Sequence, residues 1–180
     1  AKYSTTLPCS FMLVASMNPC PCGYYNDPNH HCTCTPTQVQ RYKSKISGPL
    51  LDRIDIQIEV APVSVTELAR APKGEPSASI RERVIAARAI QTERYKNEHG
   101  VHCNAQMSRA MIEQFAQLDA EAAQSLQKAM RRLDLSARAY DRILKVARTI
   151  ADLDASPQIA ARHIKEAIGY RSLDRGDWGE

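Results

Sequence analysis

Residues 11–60 read FMLVASMNPCPCGYYNDPNHHCTCTPTQVQRYKSKISGPLLDRIDIQIEV, and the rest of the chain is organised around them. The unbroken apolar run FMLVA at 11–15 predicts a central strand covered on both faces. At the other end, Ile54, Ile56, Ile58 and Val60 alternate with Asp55, Gln57 and Glu59. That period of two predicts a strand with one wet face. Between the two runs lie a four-cysteine loop, a short helical candidate and the segment GPLLDRID.

Cys20, Cys22, Cys32 and Cys34 form C-x-C-x9-C-x-C. Two close pairs separated by a short loop can converge on one tetrahedral metal, and thiolate sulfur suits zinc. Pro19, Pro21, Gly23, Asn26, Asp27 and Pro28 fill the loop of 19–35 with turn formers. Such a loop has few apolar side chains to bury, so a metal can serve as its core. Four sulfur ligands leave no open position for water, which makes the expected site structural. Three alternatives stay open at this level: disulfides within the pairs, free thiols, and His30 or His31 in place of one sulfur. Cys9 and Cys103 stand outside the pattern. His99 and His102 flank Cys103 but lack a fourth ligand at a closed spacing.

The chain has 180 residues, 43% hydrophobic and only 6% aromatic, which suggests an Ala/Leu/Ile core in helices. A formal charge of +4 is weak support for an anionic partner and is no nucleic-acid signature by itself. There is no run of about 18 apolar residues and no secretory leader, so a cytoplasmic protein without a membrane partner is expected. The opening AKYSTTLPCS stands close to a buried-looking strand, which is expected of a piece of a larger protein.

Ser16, Met17 and Asn18 follow the first apolar run. At the carboxyl end of a parallel strand Asn18 is a candidate for orienting a ligand or water; an Asx turn before Pro19 is the plainer reading. Thr35-Pro36 can open a helix to about Ile46, made basic by Arg41, Lys43 and Lys45. Leu50-Leu51-Asp52-Arg53 reads as a short turn. Arg53 is a candidate for aiming a guanidinium at phosphate, or else a salt-bridge partner of Asp52 or Asp55. After a helical candidate near 65–69, RAPKGEPSA marks the best domain boundary.

The chain beyond reads mainly as helix, with a loop over 96–106. Ser79 and Glu82 have capping-box spacing for a helix to Tyr95. A short helix is expected over 107–115, a second after Asp119, and a long one from Ser136 to about Leu153. Tyr140, Ile143, Leu144, Ala147, Ile150 and Ala151 form the apolar stripe of the long helix. Arg138 lies in its first turn, where a cation opposes the helix dipole; it is either solvated or an anion contact. Ser156-Pro157 would begin a last helix ending at Gly169-Tyr170. The tail YRSLDRGDWGE is expected to be loosely attached.

Taken together, VASMNPCPCGYYND, CTCT, SGPLLDRIDIQIEV and LSARAYDRILKVARTIADL resemble the magnesium-chelatase-like AAA+ ATPases of the ComM/YifB branch, in matching order and over nearly the whole chain. The resemblance implies an α/β fold followed by an α-helical one. Residues 1–75 would be the later part of an AAA+ core, and 76–180 a helical lid with a polar tail. It implies Asn18 as the sensor-one residue, Arg53 as an arginine finger reaching a neighbouring subunit's nucleotide, and Arg138 as the sensor-two arginine. It also implies a hexameric ring around DNA and a branch-migration role in natural transformation. The 180 residues contain no G-x-x-x-x-G-K-[ST] and no acidic Walker B strand. The chain alone is therefore expected to be inactive, with ATP and Mg²⁺ bound only in the full-length parent. Two further functions compete: an AAA+ subunit remodelling a protein or chelatase-like complex, and a standalone zinc-containing nucleic-acid binding module.

Overall fold

In the computed structural model, residues 5, 11–63, 69–70 and 74–171 are described, and the elements among them are helical. They are α1 (Pro36–Lys43), α2 (Gly48–Leu51), α3 (Ser77–Arg94), α4 (Arg109–Phe115), α5 (Ala120–Arg132), α6 (Ala137–Leu153) and α7 (Ala161–Gly169), with a 3₁₀ turn at Asn104–Gln106. The chain divides into two compact units, 1–43 and 44–180.

The expected α/β fold is not what the chain forms: no strand occurs among the described residues, and the architecture is α-helical. Both strand expectations fail for the same reason. A strand needs a neighbour to take its backbone N–H and C=O groups and to cover its side chains. In the first run Phe11, Met12, Leu13 and Val14 are 63–86% exposed. In the second, Ile56, Ile58 and Val60 are exposed while Gln57, on the polar phase, is 4% exposed. Among the described residues, the one bridge of strand type on this run is an isolated parallel pairing of Gln57 with Arg171. The period of two is present in the sequence, but the described residues hold no sheet to use it.

In the first unit, the cysteine loop is followed by α1. Thr35 caps this helix: its hydroxyl accepts from the Gln38 N–H at 3.3 Å, and its own N–H donates to the Gln38 side chain at 2.8 Å. Val39 and Lys43 are buried, and the Lys43 ammonium lies 4.8 Å from the centre of the Tyr25 ring. Helix α1 ends three residues short of the expected Ile46.

The second unit is a helical bundle around α6. That helix packs on α3, α4, α7 and the 3₁₀ turn, while α5 packs on α7. Met107, Ile112, Leu126, Ile143, Leu144, Ile150, Ile159 and Ile164 are among the buried core. Caps set three helix starts. Ser108 accepts from Met111 N at 3.3 Å, Asp119 from Ala122 N at 2.6 Å and Ser136 from Ala139 N at 3.2 Å. Two starts differ from expectation. Helix α3 begins at Ser77 behind Pro76, so Ser79 is not its cap. Helix α7 begins at Ala161, where the ring of buried His163 accepts from the Ala160 N–H at 3.0 Å. The helical candidate near 65–69 lies mostly outside the described residues.

A polar cluster sits inside this bundle. Asp152 is fully buried and receives both Arg94 and Arg148, together with the Asn104 amide at 2.8 Å. Arg148 also donates to the carbonyls of Ser156 and Pro157 at 2.6 and 2.9 Å. The Tyr95 hydroxyl donates to Asn104 at 2.7 Å. The cluster locks the end of α3 to the end of α6.

Candidate metal centre and arginine positions

The cysteine loop is built from tight turns. Gly23 N–H bonds to Cys20 O at 3.1 Å, and Asp27 N–H to Tyr24 O at 3.1 Å. Gly23 has φ +87° and Asn26 φ 61°, left-handed conformations that glycine and asparagine tolerate best. The Asp27 carboxylate accepts from the Asn29 N–H at 2.7 Å. These turns fold the two cysteine pairs onto each other.

The four sulfurs of Cys20, Cys22, Cys32 and Cys34 all lie within 4.8 Å of one another. Cys20–Cys22, Cys22–Cys32 and Cys20–Cys32 are 3.3, 3.5 and 3.8 Å apart. A disulfide needs about 2.05 Å, and these cysteines are free thiols. A tetrahedral zinc with sulfurs at about 2.3 Å spaces them by about 3.8 Å. The donor set therefore fits a metal ion.

Electrostatics agree. The Tyr24 backbone N–H holds the Cys22 thiol down at about 5. Burial pushes Cys34 up to about 12, and Cys32 is raised as well by burial and by its cysteine neighbours. Four thiolates this close repel, so without a cation one ionises at the expense of the others; a divalent cation removes that conflict. Cys20 is fully buried. His30 is turned to Asp27 at 3.2 Å and stacks on Tyr24 at 4.8 Å, outside the sulfur group. Among the described residues no other such ligand group occurs, so His99, His102 and Cys103 do not assemble one.

Asn18 is exposed, two residues before the first metal-ligating candidate. Arg53 is exposed beyond the α2 turn, and its guanidinium donates to Pro49 O at 2.6 Å. Neither neighbouring carboxylate takes it. Asp55 accepts from Arg142 at 2.8 Å, and Asp52 accepts from the Ser136 hydroxyl at 3.0 Å. In this structure Arg53 forms no salt bridge with either of them. Arg138 is exposed at the second position of α6, with no hydrogen-bond or ion-pair partner among the described residues. Arg142 and Lys145, grouped with it in sequence, are engaged: Lys145 donates to Ala105 O at 2.9 Å, and burial lowers its pKa.

Sequence reasoning missed one participant. Arg171, expected in a loosely attached tail, is fully buried and donates to Ile54 O at 2.8 Å. Its other amino group lies 3.9 Å from Asp52. A lone arginine after a helix carries no pattern that announces this; residues 172–180 of the tail lie outside the described ones.

No helix among the described residues is long and apolar enough to cross a membrane. Residues 1–68 match the family described as magnesium chelatase, subunit ChlI, and residues 74–171 match magnesium chelatase, subunit ChlI C-terminal. The chain is 43% identical over 176 residues to the uncharacterized protein YifB of Escherichia coli, covering 97% of this chain and 33% of that protein. It is 44% identical over 176 residues to the competence protein ComM of Haemophilus influenzae, with the same coverage. An uncharacterized protein of Mycobacterium tuberculosis is 34% identical over 164 residues, 91% of this chain and 32% of that protein. The chain thus spans about a third of the length of these relatives. With both of its segments matched in order and relatives above 40% identity along nearly its whole length, this chain belongs to the magnesium-chelatase-like AAA+ family that includes YifB and ComM.

Proposed function

We propose that this chain works as part of a longer, cytoplasmic, DNA-acting AAA+ ATPase, a ring-forming branch-migration motor of the kind used in natural transformation. The likeness to a competence protein supports the DNA role. One observation carries the catalytic part. Arg53 is exposed and held by Pro49 O, while the carboxylates beside it are engaged elsewhere. Its remaining N–H groups are left for an anion.

Phosphoryl transfer is accelerated chiefly by positive groups fixed where charge develops. In this reading Arg53 supplies its guanidinium to a nucleotide held by a neighbouring subunit. Arg138, on the bundle, contacts the nucleotide of its own subunit, and Asn18 orients the attacking water or the γ-phosphate. The phosphate-cradling loop and the Mg²⁺-binding acid lie in other parts of the ATPase, so this chain alone does not turn over ATP. Cys20, Cys22, Cys32 and Cys34 hold one structural zinc, which supplies the cross-link that the turn-rich loop lacks.

Mixing subunits of the intact ATPase tests the reading. Arg53→Ala should leave folding, nucleotide binding and ring assembly in place and reduce turnover by roughly 10³-fold. Lysine should rescue poorly, because it loses the planar fork. An Arg53→Ala subunit should regain turnover beside a subunit that keeps Arg53 but has a broken phosphate loop. Full activity in an assembled Arg53→Ala ring would remove the residue from the mechanism. ATP turnover that responds to a protein partner and ignores every DNA form would move the assignment to the protein-remodelling class.

A further inference from the structure

The segment that carries Arg53 is fastened to the helical bundle on both sides, and one fastening ends two residues from Arg138. Asp52, immediately before Arg53, accepts from the hydroxyl of Ser136 at 3.0 Å. That hydroxyl also caps α6 through the Ala139 N–H at 3.2 Å. Asp55, two residues after Arg53, accepts from Arg142 at 2.8 Å, one turn further along the same helix. Behind the segment, buried Arg171 holds Ile54 O at 2.8 Å. The Gln57 N–H donates to Tyr170 O at 2.7 Å, and the Gln57 side chain donates back to Leu51 O at 3.1 Å.

The two sets of contacts differ in kind. Arg171 and Gln57 are buried and join backbone to the end of α7. Asp52 and Asp55 are partly exposed and reach the first two turns of α6, the end that carries Arg138, although Asp52 also lies 3.9 Å from the buried Arg171 guanidinium. The former anchor the segment. The latter make its orientation follow the amino-terminal end of α6.

We propose that Asp52–Ser136 and Asp55–Arg142 are positioning contacts that couple the occupancy of Arg138 to the aim of Arg53. This rests on the reading of Arg53 and Arg138 given above and adds how they are regulated. An anion drawn to Arg138 acts on the first turn of α6. Ser136, the cap of that turn, holds Asp52, and Asp52 is covalently next to Arg53. A subunit's own nucleotide thereby sets whether its arginine is presented to its neighbour. Coupling of this type is reciprocal in binding free energy, so engagement of Arg53 also alters the affinity at Arg138.

The test has two arms. In the 180-residue chain, Asp55→Ala combined with Arg142→Gln removes the Asp55–Arg142 contact and leaves both the Ser136 cap and the Asp52 carboxylate near Arg171 intact. Amide hydrogen exchange at Arg53, Ile54 and Gln57 should rise about tenfold, the scale of one charge-assisted hydrogen bond, with the bundle core unchanged. In the assembled ATPase the same pair should lower kcat about tenfold while the KM for ATP stays within about twofold. The charge-swapped pair Asp55→Arg with Arg142→Asp should recover most of kcat, and each single reversal should not. Unchanged exchange overturns the fastening. Raised exchange with unaltered kcat, in a ring that Arg53→Ala inactivates, overturns the coupling and leaves the arginine finger standing. Full turnover in the Arg53→Ala ring ends both, and the exchange arm then reports a purely structural contact.

Discussion

The buried cluster at the end of α6 supports a sharp prediction about stability. Asp152 is fully buried and, among the described residues, is the one carboxylate paired with Arg94 and Arg148, which are 13% and 2% exposed. The cluster thus holds two positive charges against one negative. Hydrogen bonding to Asp152 raises the Arg94 pKa, whereas burial lowers that of Arg148. Asp152→Ala leaves two guanidiniums facing each other in low dielectric and deprives Asn104 of its acceptor at 2.8 Å. Removing one partner of a buried ion pair costs about 3–5 kcal/mol. That is a large share of the roughly 5–15 kcal/mol of a typical domain. For a chain of this size it lowers Tm by about 10 °C. Arg148→Met should cost less, about 2 kcal/mol, since it removes the surplus charge and leaves the Arg94–Asp152 pair intact. Its cost comes from the carbonyls of Ser156 and Pro157, which lose a donor. Urea denaturation of both variants, with the m-value checked for two-state behaviour, gives the comparison. A loss below about 1 kcal/mol for Asp152→Ala, or a larger loss for Arg148→Met, would refute the charge argument.

Zinc analysis of protein purified without added metal should find about one equivalent per chain, and replacing both Cys32 and Cys34 by Ser should abolish it. In the metal-free chain Cys22, held down at about 5, is ionised at neutral pH, whereas Cys34, pushed up to about 12, is protonated. Alkylation followed by mass spectrometry should therefore mark Cys22 first and Cys34 last. The Cys22 rate should fall as pH drops through about 5, and zinc should protect both; equal rates would contradict the assignment. Gly23→Ala meets no close atom, the nearest being Asn18 at 3.9 Å, but is strained at φ +87°. It should weaken zinc binding by about 1 kcal/mol, or roughly fivefold, in a competition titration. Asp119→Ala removes the α5 cap and should cost about 1 kcal/mol in thermal unfolding, with no change in zinc content.

The sequence was readable wherever structure depends on near neighbours. Ser136 and Asp119 cap the helices assigned to them, because a cap needs only a side chain and an amide two or three residues on. The apolar stripe of α6, from Ile143 to Ala151, is buried as its spacing implied. The cysteine pairs meet because turn formers close a short loop between them. Where the outcome depended on distant partners, the local signal misled. The runs at 11–15 and 54–60 carry strand patterns, but the described residues hold no sheet to receive them.

The convergence of the four cysteines and the stripes of the longer helices were thus legible in the sequence alone, through spacings of a few residues. Only the tertiary structure decided that Arg148 and Asp152 are interior and that Arg171 anchors the Arg53 segment. It also decided that Asp52 and Asp55 turn away from Arg53 toward α6. A charged residue carries no sequence mark of its partner, because that partner is chosen by which surfaces the packed helices bring together.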